Sequence, residues 1–292
     1  TACLAWNTSE HFALVEPFSI AGQKVGFCLD TLSAFFLLPL GLIGFCSSVF
    51  SNEYLQKHLS SGLCRYWITF VVFLSSMAAV ILSSNAIVFL VMWELMSLSS
   101  ALLVATDTQS HKSQRATIIY LAATRIATAL LACGFLLMHS QTHSWQFADW
   151  SMANSDALVP FHIWLPYAHP VAPAPASALM SAVMIKVAIY GMLRIIFFGG
   201  LHSTHVALVI FAIGLISSFW GILFALVQRD LKRLLAYSSV ENIGLIVTAI
   251  GLSLYARAID QPVVASLGLV AALLHVINHA LLKGLLFLSA GA

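Results

Sequence analysis

The sequence predicts an all-α, polytopic transmembrane helical bundle, and three observations carry that prediction. Apolar residues make up 60% of the chain and charged residues only 8%, with a mean hydropathy of +0.94. A soluble domain carries roughly a quarter of charged residues, so this chain cannot cover its own surface with polar groups, and lipid must be its solvent. The apolar residues also fall in runs of about 17–22, the length a helix needs to cross roughly 30 Å of hydrocarbon. Finally, the runs lack the period-two alternation of barrel strands. Lipid permits only helices or closed barrels to span it, so the runs are read as helices.

Taken in order, residues 1–31 mix polar and apolar side chains and are expected at or near the membrane surface. They lack the charged start and short apolar core of a signal peptide. The first span covers about Leu32–Phe50 and contains Pro39, which kinks a helix unless neighbours satisfy the freed carbonyl. A polar loop, SNEYLQKHLSSGLCR, leads to spans at about Tyr66–Leu82 and Ala86–Ala105, joined by a tight SSN turn. The fourth span, about Thr117–Met138, contains Arg125. The pattern then breaks between His139 and Pro175, where Pro160, Pro166, Pro170, Pro173 and Pro175 are too dense for helix. Spans resume at about Ala176–Phe198, Val206–Val227, Leu234–Leu254 and Val263–Ala290. The chain thus divides into a surface segment (1–31), helices bearing Glu94 (32–138), a Pro-rich loop (139–175) and helices bearing Lys186, His275, His279 and Lys283 (176–292).

Eight crossings sit poorly with the charges. Under plain alternation the cations outside the spans divide weakly between the two faces. If one crossing is absent near Asn154–Ala157, then Lys57, Arg65, Lys112, Arg115, Arg229, Lys232 and Arg233 share one face, against Lys24, Arg194 and Arg257. That is the better positive-inside division. The chain is therefore expected to be a fragment with a helix missing near residue 155.

Several function classes are excluded or disfavoured. The net charge is +2 and no basic cluster exceeds Lys232-Arg233, so no nucleic-acid partner is expected. Cys3, Cys28, Cys46, Cys64 and Cys133 form no CxxC pair and read as small hydrophobes. No haem, iron–sulfur or dinucleotide signature is present; no cofactor or metal is expected, and any electrons travel in another subunit.

The informative residues are ionisable groups inside spans. A charge at the bilayer centre costs roughly 2.5–3.5 kcal/mol on insertion scales, so a retained one has a partner or a task. Lys186 is the sole charge from Ala176 to Leu193, and Glu94 lies close to the midplane of its span. Desolvation disfavours the charged form of each, while an opposite charge restores it, so a lysine and a carboxylate can bind and lose protons in step. Snorkelling of Lys186, or a structural Glu94 hydrogen-bonded across a helix interface, are the alternatives. His275, His279 and Lys283 recur at i, i+4 and i+8 and share one helix face. Histidine titrates near neutrality, which suits a relay; metal binding or hydrogen-bonded packing are the other readings, and there is no HExxH. Glu241 beside Asn242 is balanced between channel lining and structure. Arg125 pairs with a neighbouring carboxylate in the structural reading. His162 and His169 in the Pro-rich loop either shape it or move protons, and Asp230, Lys232 and Arg233 set orientation at the boundary.

These residues also carry a family resemblance. WELMSLSS around Glu94, PFHIWLPYAHPVAPAPASALMSAVMIKVAIYGMLR at 160–194, RDLKRLLAYSSVENIG at 229–244 and HVINHALLKGLLFLSAG at 275–291 resemble the antiporter-like, proton-translocating subunits of respiratory complex I, multisubunit sodium/proton antiporters and membrane-bound hydrogenases. SALMSAVMIK and YSSVENIG are most similar to the hydrogenase-4 and formate hydrogenlyase membrane subunit. The resemblance implies an antiporter-like bundle in which Glu94 matches the family's helix-five glutamate and Lys186 its second membrane lysine. It further implies that His275, His279 and Lys283 form a polar stripe into a second half-channel. The family carries another helix, with a lysine, before the PFHIWLP loop; Ser155 stands at that lysine's place.

The functional expectation is a multi-pass subunit, in a bacterial inner membrane, that moves protons by alternating protonation of Glu94 and Lys186. It would couple electron transfer in soluble redox partners, alongside other membrane subunits. A multisubunit cation/proton antiporter and a non-conducting scaffold are the other readings.

Overall fold

The computed structural model describes residues 12–13, 18–20, 23–58, 62–106, 111–152, 172–198 and 203–291. His162 and His169, and the break expected near 154–157, lie outside the described residues.

Among the described residues, eight helices are long and apolar enough to cross a membrane. They are α1 (Thr31–His58), α2 (Leu63–Leu82), α3 (Ala86–Val104), α4 (His111–Thr142), α5, α6 (Thr204–Leu226), α7 (Leu231–Ala258) and α8 (Pro262–Ser289). Helix α5 runs Ala174–Leu179, passes through a π turn at Met180–Met184 and continues as Ile185–Phe198. Ahead of α1, strand pairs Phe12–Ala13 with Cys28–Leu29 and Phe18–Ile20 with Gln23–Val25 form two small antiparallel ribbons.

Helices start where the sequence supplies caps. Asp30 Oδ1 accepts the Ser33 amide at 2.7 Å, Asn85 Oδ1 the Ile87 amide at 2.8 Å and Asp230 Oδ1 the Arg233 amide at 2.8 Å, each covering an orphan first-turn donor. Gly62 stands before α2 with φ 88°, a conformation that glycine reaches without a Cβ penalty. Pro175 lies in the first turn of α5, where the missing N–H leaves no bond unmade. Pro39 is buried inside α1, and the helix continues through it.

Three boundaries differ from expectation. The polar stretch after Phe50 continues α1 to His58, α4 begins at His111, ahead of Thr117, and α7 extends to Ala258. Charged residues add helical turns beyond the hydrocarbon length, where hydropathy no longer reports them. Arg194, counted among loop cations by the charge division, lies inside α5 and is 5% exposed.

Helix α5 is the hub, buried along most of its length; its neighbours include α1, α2, α8 and the short helix Phe147–Met152. Helices α6 and α7 form the closest pair. A Cβ on Gly251 would stand 2.5 Å from the Phe211 amide nitrogen, and one on Gly214 2.5 Å from that of Thr248, so glycine is what lets these backbones approach.

Contacts at the helix ends fix their directions. On the proximal face, where α1 begins, Ser33 Oγ reaches Ile81 O at the end of α2. There Phe147 N also meets Ser84 O beside the start of α3, and Arg194 of α5 meets Asp30. On the distal face Ser113 Oγ, near the start of α4, bonds Val104 O. Lys232 Nζ bonds Ala172 O at the start of α5 at 3.3 Å. Helices α4 and α5 therefore run in the same direction, as the charge division expects if a crossing is missing between them.

Candidate functional site

Lys186 sits mid-way along α5, 1% exposed, just past the π turn. Its ammonium donates to Ser181 O at 2.7 Å, the carbonyl one residue into that turn. A wide turn inside an α-helix is a frequent feature of functional sites; here it sets a carbonyl against the one cation in the apolar centre of α5.

From Ser181 the polar contacts continue into α7 and α8. Ser181 Oγ and Ser239 Oγ are 2.7 Å apart. Ser239 Oγ donates to Leu235 O at 2.9 Å, so the proton between the two serines comes from Ser181. Leu235 O also accepts from Lys283 Nζ at 2.9 Å, and Lys283 donates to Ser238 Oγ. Asn242 Nδ2 donates to Ser238 O at 2.7 Å, and Asn242 Oδ1 meets His275 Nε2 at 3.0 Å. Lys186, Lys283 and His275 are thereby joined by successive hydrogen bonds through groups of three helices, partly through the backbone.

His279 lies inside this cluster, 2% exposed, its ring parallel to that of His275 with centroids 6.4 Å apart. Neither ring nitrogen has a hydrogen-bond partner among the described residues. An orphan buried donor or acceptor costs roughly 1–3 kcal/mol, so the imidazole is held in this cluster at an energetic cost. Among the described residues no cluster of three or more His, Cys, Asp or Glu is assembled. Glu241 lies on α7 beside Asn242 and is partly exposed.

Glu94 and Arg125 form a separate centre. They make an ion pair between α3 and α4, their side chains 29% and 49% exposed. The carboxylate expected to respond to Lys186 thus has its cation on α4, and no hydrogen bond or ion pair joins Glu94 to Lys186 among the described residues. At the distal boundary Asp230 caps α7 and Lys232 holds the start of α5.

Sequence reasoning missed the serines that connect the ionisable groups and missed the π turn. The serines had a signal: Ser181 lies five residues before Lys186, and Ser238 and Ser239 sit in YSSVENIG. The turn had none, because MSAVM is compatible with α-helix. It also missed a buried polar cluster two turns above Lys186, where Arg194 meets Asp30, Ser33 and Tyr190.

Comparisons with known proteins agree with the fold. Hydrogenase-4 component B of Escherichia coli (strain K12) is 37% identical over 287 residues, covering 90% of this chain and 42% of that protein. Formate hydrogenlyase subunit 3 of the same strain is 31% identical over 283 residues, covering 90% of this chain and 45% of that protein. The chain thus spans less than half the length of these curated relatives. Among solved structures, a chain of the membrane-bound sulfane sulfur reductase, an archaeal respiratory membrane complex, superposes with a TM-score of 0.78 at 21% identity, covering 94% of this chain and 60% of that one. The profile of one family matches residues 83–158 and 151–292, two segments that meet between the parallel helices α4 and α5. The protein is an integral, multi-pass membrane protein, and it belongs to the NADH:quinone oxidoreductase/Mrp antiporter transmembrane family.

Proposed function

We propose that this chain is the proton-translocating membrane subunit of a hydrogenase-4-like or complex I-like respiratory assembly in a bacterial inner membrane. It works beside other membrane subunits and couples electron transfer in soluble redox partners to proton movement. The observation that carries this reading is the run of hydrogen bonds from Lys186 through Ser181 and Ser239 to Leu235 O, and on to Lys283, Ser238, Asn242 and His275. Buried ionisable groups in a membrane are expensive and mark ion pathways, and here they are linked.

Lys186 is the switching group, since a desolvated ammonium is readily discharged. Its proton moves toward Lys283 along the Ser181 and Ser239 hydroxyls, the latter turning from the Leu235 carbonyl to pass it on, and His275 and His279 extend the route along α8. Glu94, held by Arg125, acts as the charged element of a second centre. The parallel course of α4 and α5 supports a further crossing between them in the full-length protein, as the charge division and the two-part family match also do.

Replacing Lys186 by Ala tests the reading. In proteoliposomes of the assembled complex, Lys186→Ala should abolish acidification while partner electron transfer partly survives; normal acidification refutes it. The family's inclusion of Mrp antiporters favours one second reading, a subunit of a multisubunit cation/proton antiporter. That reading predicts sodium-driven proton exchange with no electron donor present.

A further inference from the structure

On the proximal side of Lys186, α5 carries a differently built polar cluster. Lys186, Tyr190 and Arg194 recur at i, i+4 and i+8 and share one face of α5. Tyr190 is fully buried and Arg194 is 5% exposed. The guanidinium is committed on every side. Nη1 pairs with Asp30 Oδ2, Nη2 donates to Ser33 Oγ at 3.0 Å and Nε donates to Tyr190 Oη at 2.8 Å. Both hydroxyls then turn to a single acceptor, the Ile81 carbonyl freed at the end of α2. Asp30 Oδ1 is occupied by the Ser33 amide. No hydrogen bond links Tyr190 to Lys186 among the described residues.

A proton wire needs groups that accept and donate in turn. A serine or tyrosine hydroxyl, a histidine and a desolvated lysine meet that need; a guanidinium does not, because it has no acceptor and is not deprotonated in proteins. Here it donates to both hydroxyls that would otherwise receive a proton, Tyr190 Oη and Ser33 Oγ. Buried arginines and helix dipoles act as barriers to protons in other membrane pores. The two sides of Lys186 therefore differ in one respect: serine hydroxyls and backbone carbonyls alone lie between it and Lys283, while toward Asp30 a guanidinium holds both hydroxyls.

We infer that Arg194, held by Asp30, Ser33 and Tyr190, is a proton-tight closure that separates Lys186 from the proximal face. The inference rests on the reading of Lys186 as a proton carrier. It assigns Arg194 a sealing role beyond joining α5 to α1, with Asp30 as its positioning residue.

The test is passive proton flux. The complex containing this chain is purified with its partners, reconstituted into liposomes with a trapped pH-sensitive dye, and driven by a potassium diffusion potential with no electron donor. Arg194→Gln should raise the proton leak several-fold. Arg194→Lys keeps a cation for Asp30 and therefore the fold, but introduces a group that can release its proton; it too should leak, whereas a merely structural role leaves it tight. Adding Lys186→Ala to either variant should close the leak again. Proteoliposomes of Arg194→Lys as tight as the native complex overturn the seal, whatever Arg194→Gln does to assembly. A leak that survives Lys186→Ala overturns the placement of the closure over Lys186 and identifies the Lys186 reading as the part that failed.

Discussion

Ser239→Ala removes one hydroxyl at the joint of the proposed route. That hydroxyl makes two buried contacts, 2.7 Å to Ser181 Oγ and 2.9 Å to Leu235 O. A buried neutral hydrogen bond contributes about 1 kcal/mol net, so the substitution should lower unfolding free energy by about 1–2 kcal/mol. If the same loss falls on the proton-transfer step, the rate drops by about 5–30-fold, since each 1.36 kcal/mol is tenfold. The assay is the initial rate of acidification by reconstituted complex, divided by the electron-transfer rate of the same preparation. Ser181→Ala should behave alike, because it breaks the same contact while keeping the Ser181 carbonyl for Lys186. The double variant should then lose little beyond the worse single, with a coupling energy of about 1 kcal/mol. Native pumping in Ser239→Ala, or additive losses in the double variant, would show that the two hydroxyls do not form one link.

Three further outcomes follow. Gly251→Ala places a Cβ 2.5 Å from the Phe211 amide nitrogen and should force α6 from α7, lowering the thermal midpoint in detergent; overpacking costs typically about 1–3 kcal/mol. Burial opposes ionisation of Asp30, but Arg194 and the Ser33 amide outweigh it and hold the carboxyl below its ordinary range. A depressed carboxylate stabilises the fold above its unfolded value of about 3.9 and loses that contribution as pH falls through the folded value. Asp30→Asn should therefore be less stable than the native chain at pH 7, the gap closing on acidification below about 4. For Glu94 and Arg125, each single substitution to Gln leaves one charge unpaired at mid-membrane depth. The double substitution should retain a higher thermal midpoint than either single; a double that melts below both would show the pair is not what holds these side chains.

Fold class and most spans were legible because hydropathy and length report burial in lipid directly. Helix ends were not, since Ser51–His58 and His111–Ala116 are polar helix continuing past the hydrocarbon. The parallel course of α4 and α5 was legible only through charge bias, which reports sidedness and not path. Of the proposed route, Lys186, His275, His279 and Lys283 were legible, because isolated charges and an i, i+4, i+8 stripe stand out against apolar helix. The connections between them depend on which serine faces which across α5 and α7, a tertiary property. Arg194 was hidden for a related reason: near a helix end it reads as a boundary cation, and its contacts with Asp30, Ser33 and Tyr190 exist only in the fold. Arg125 shows the reverse, a cation whose sequence reading as partner of a carboxylate is matched by its ion pair with Glu94.

The proposed proton transfer depends on a connected polar route running through the bundle from Lys186 to Lys283 and His275. A water-resolving electron cryomicroscopy map of the assembled complex addresses it directly. It should show Lys186 facing Ser181 and Ser239, with ordered water or polar side chains on the ring nitrogens of His279 and leading on to Lys283. A map in which Lys186 turns to the lipid, or in which the space around Lys186 and His279 is dry and sealed from Lys283, would contradict it.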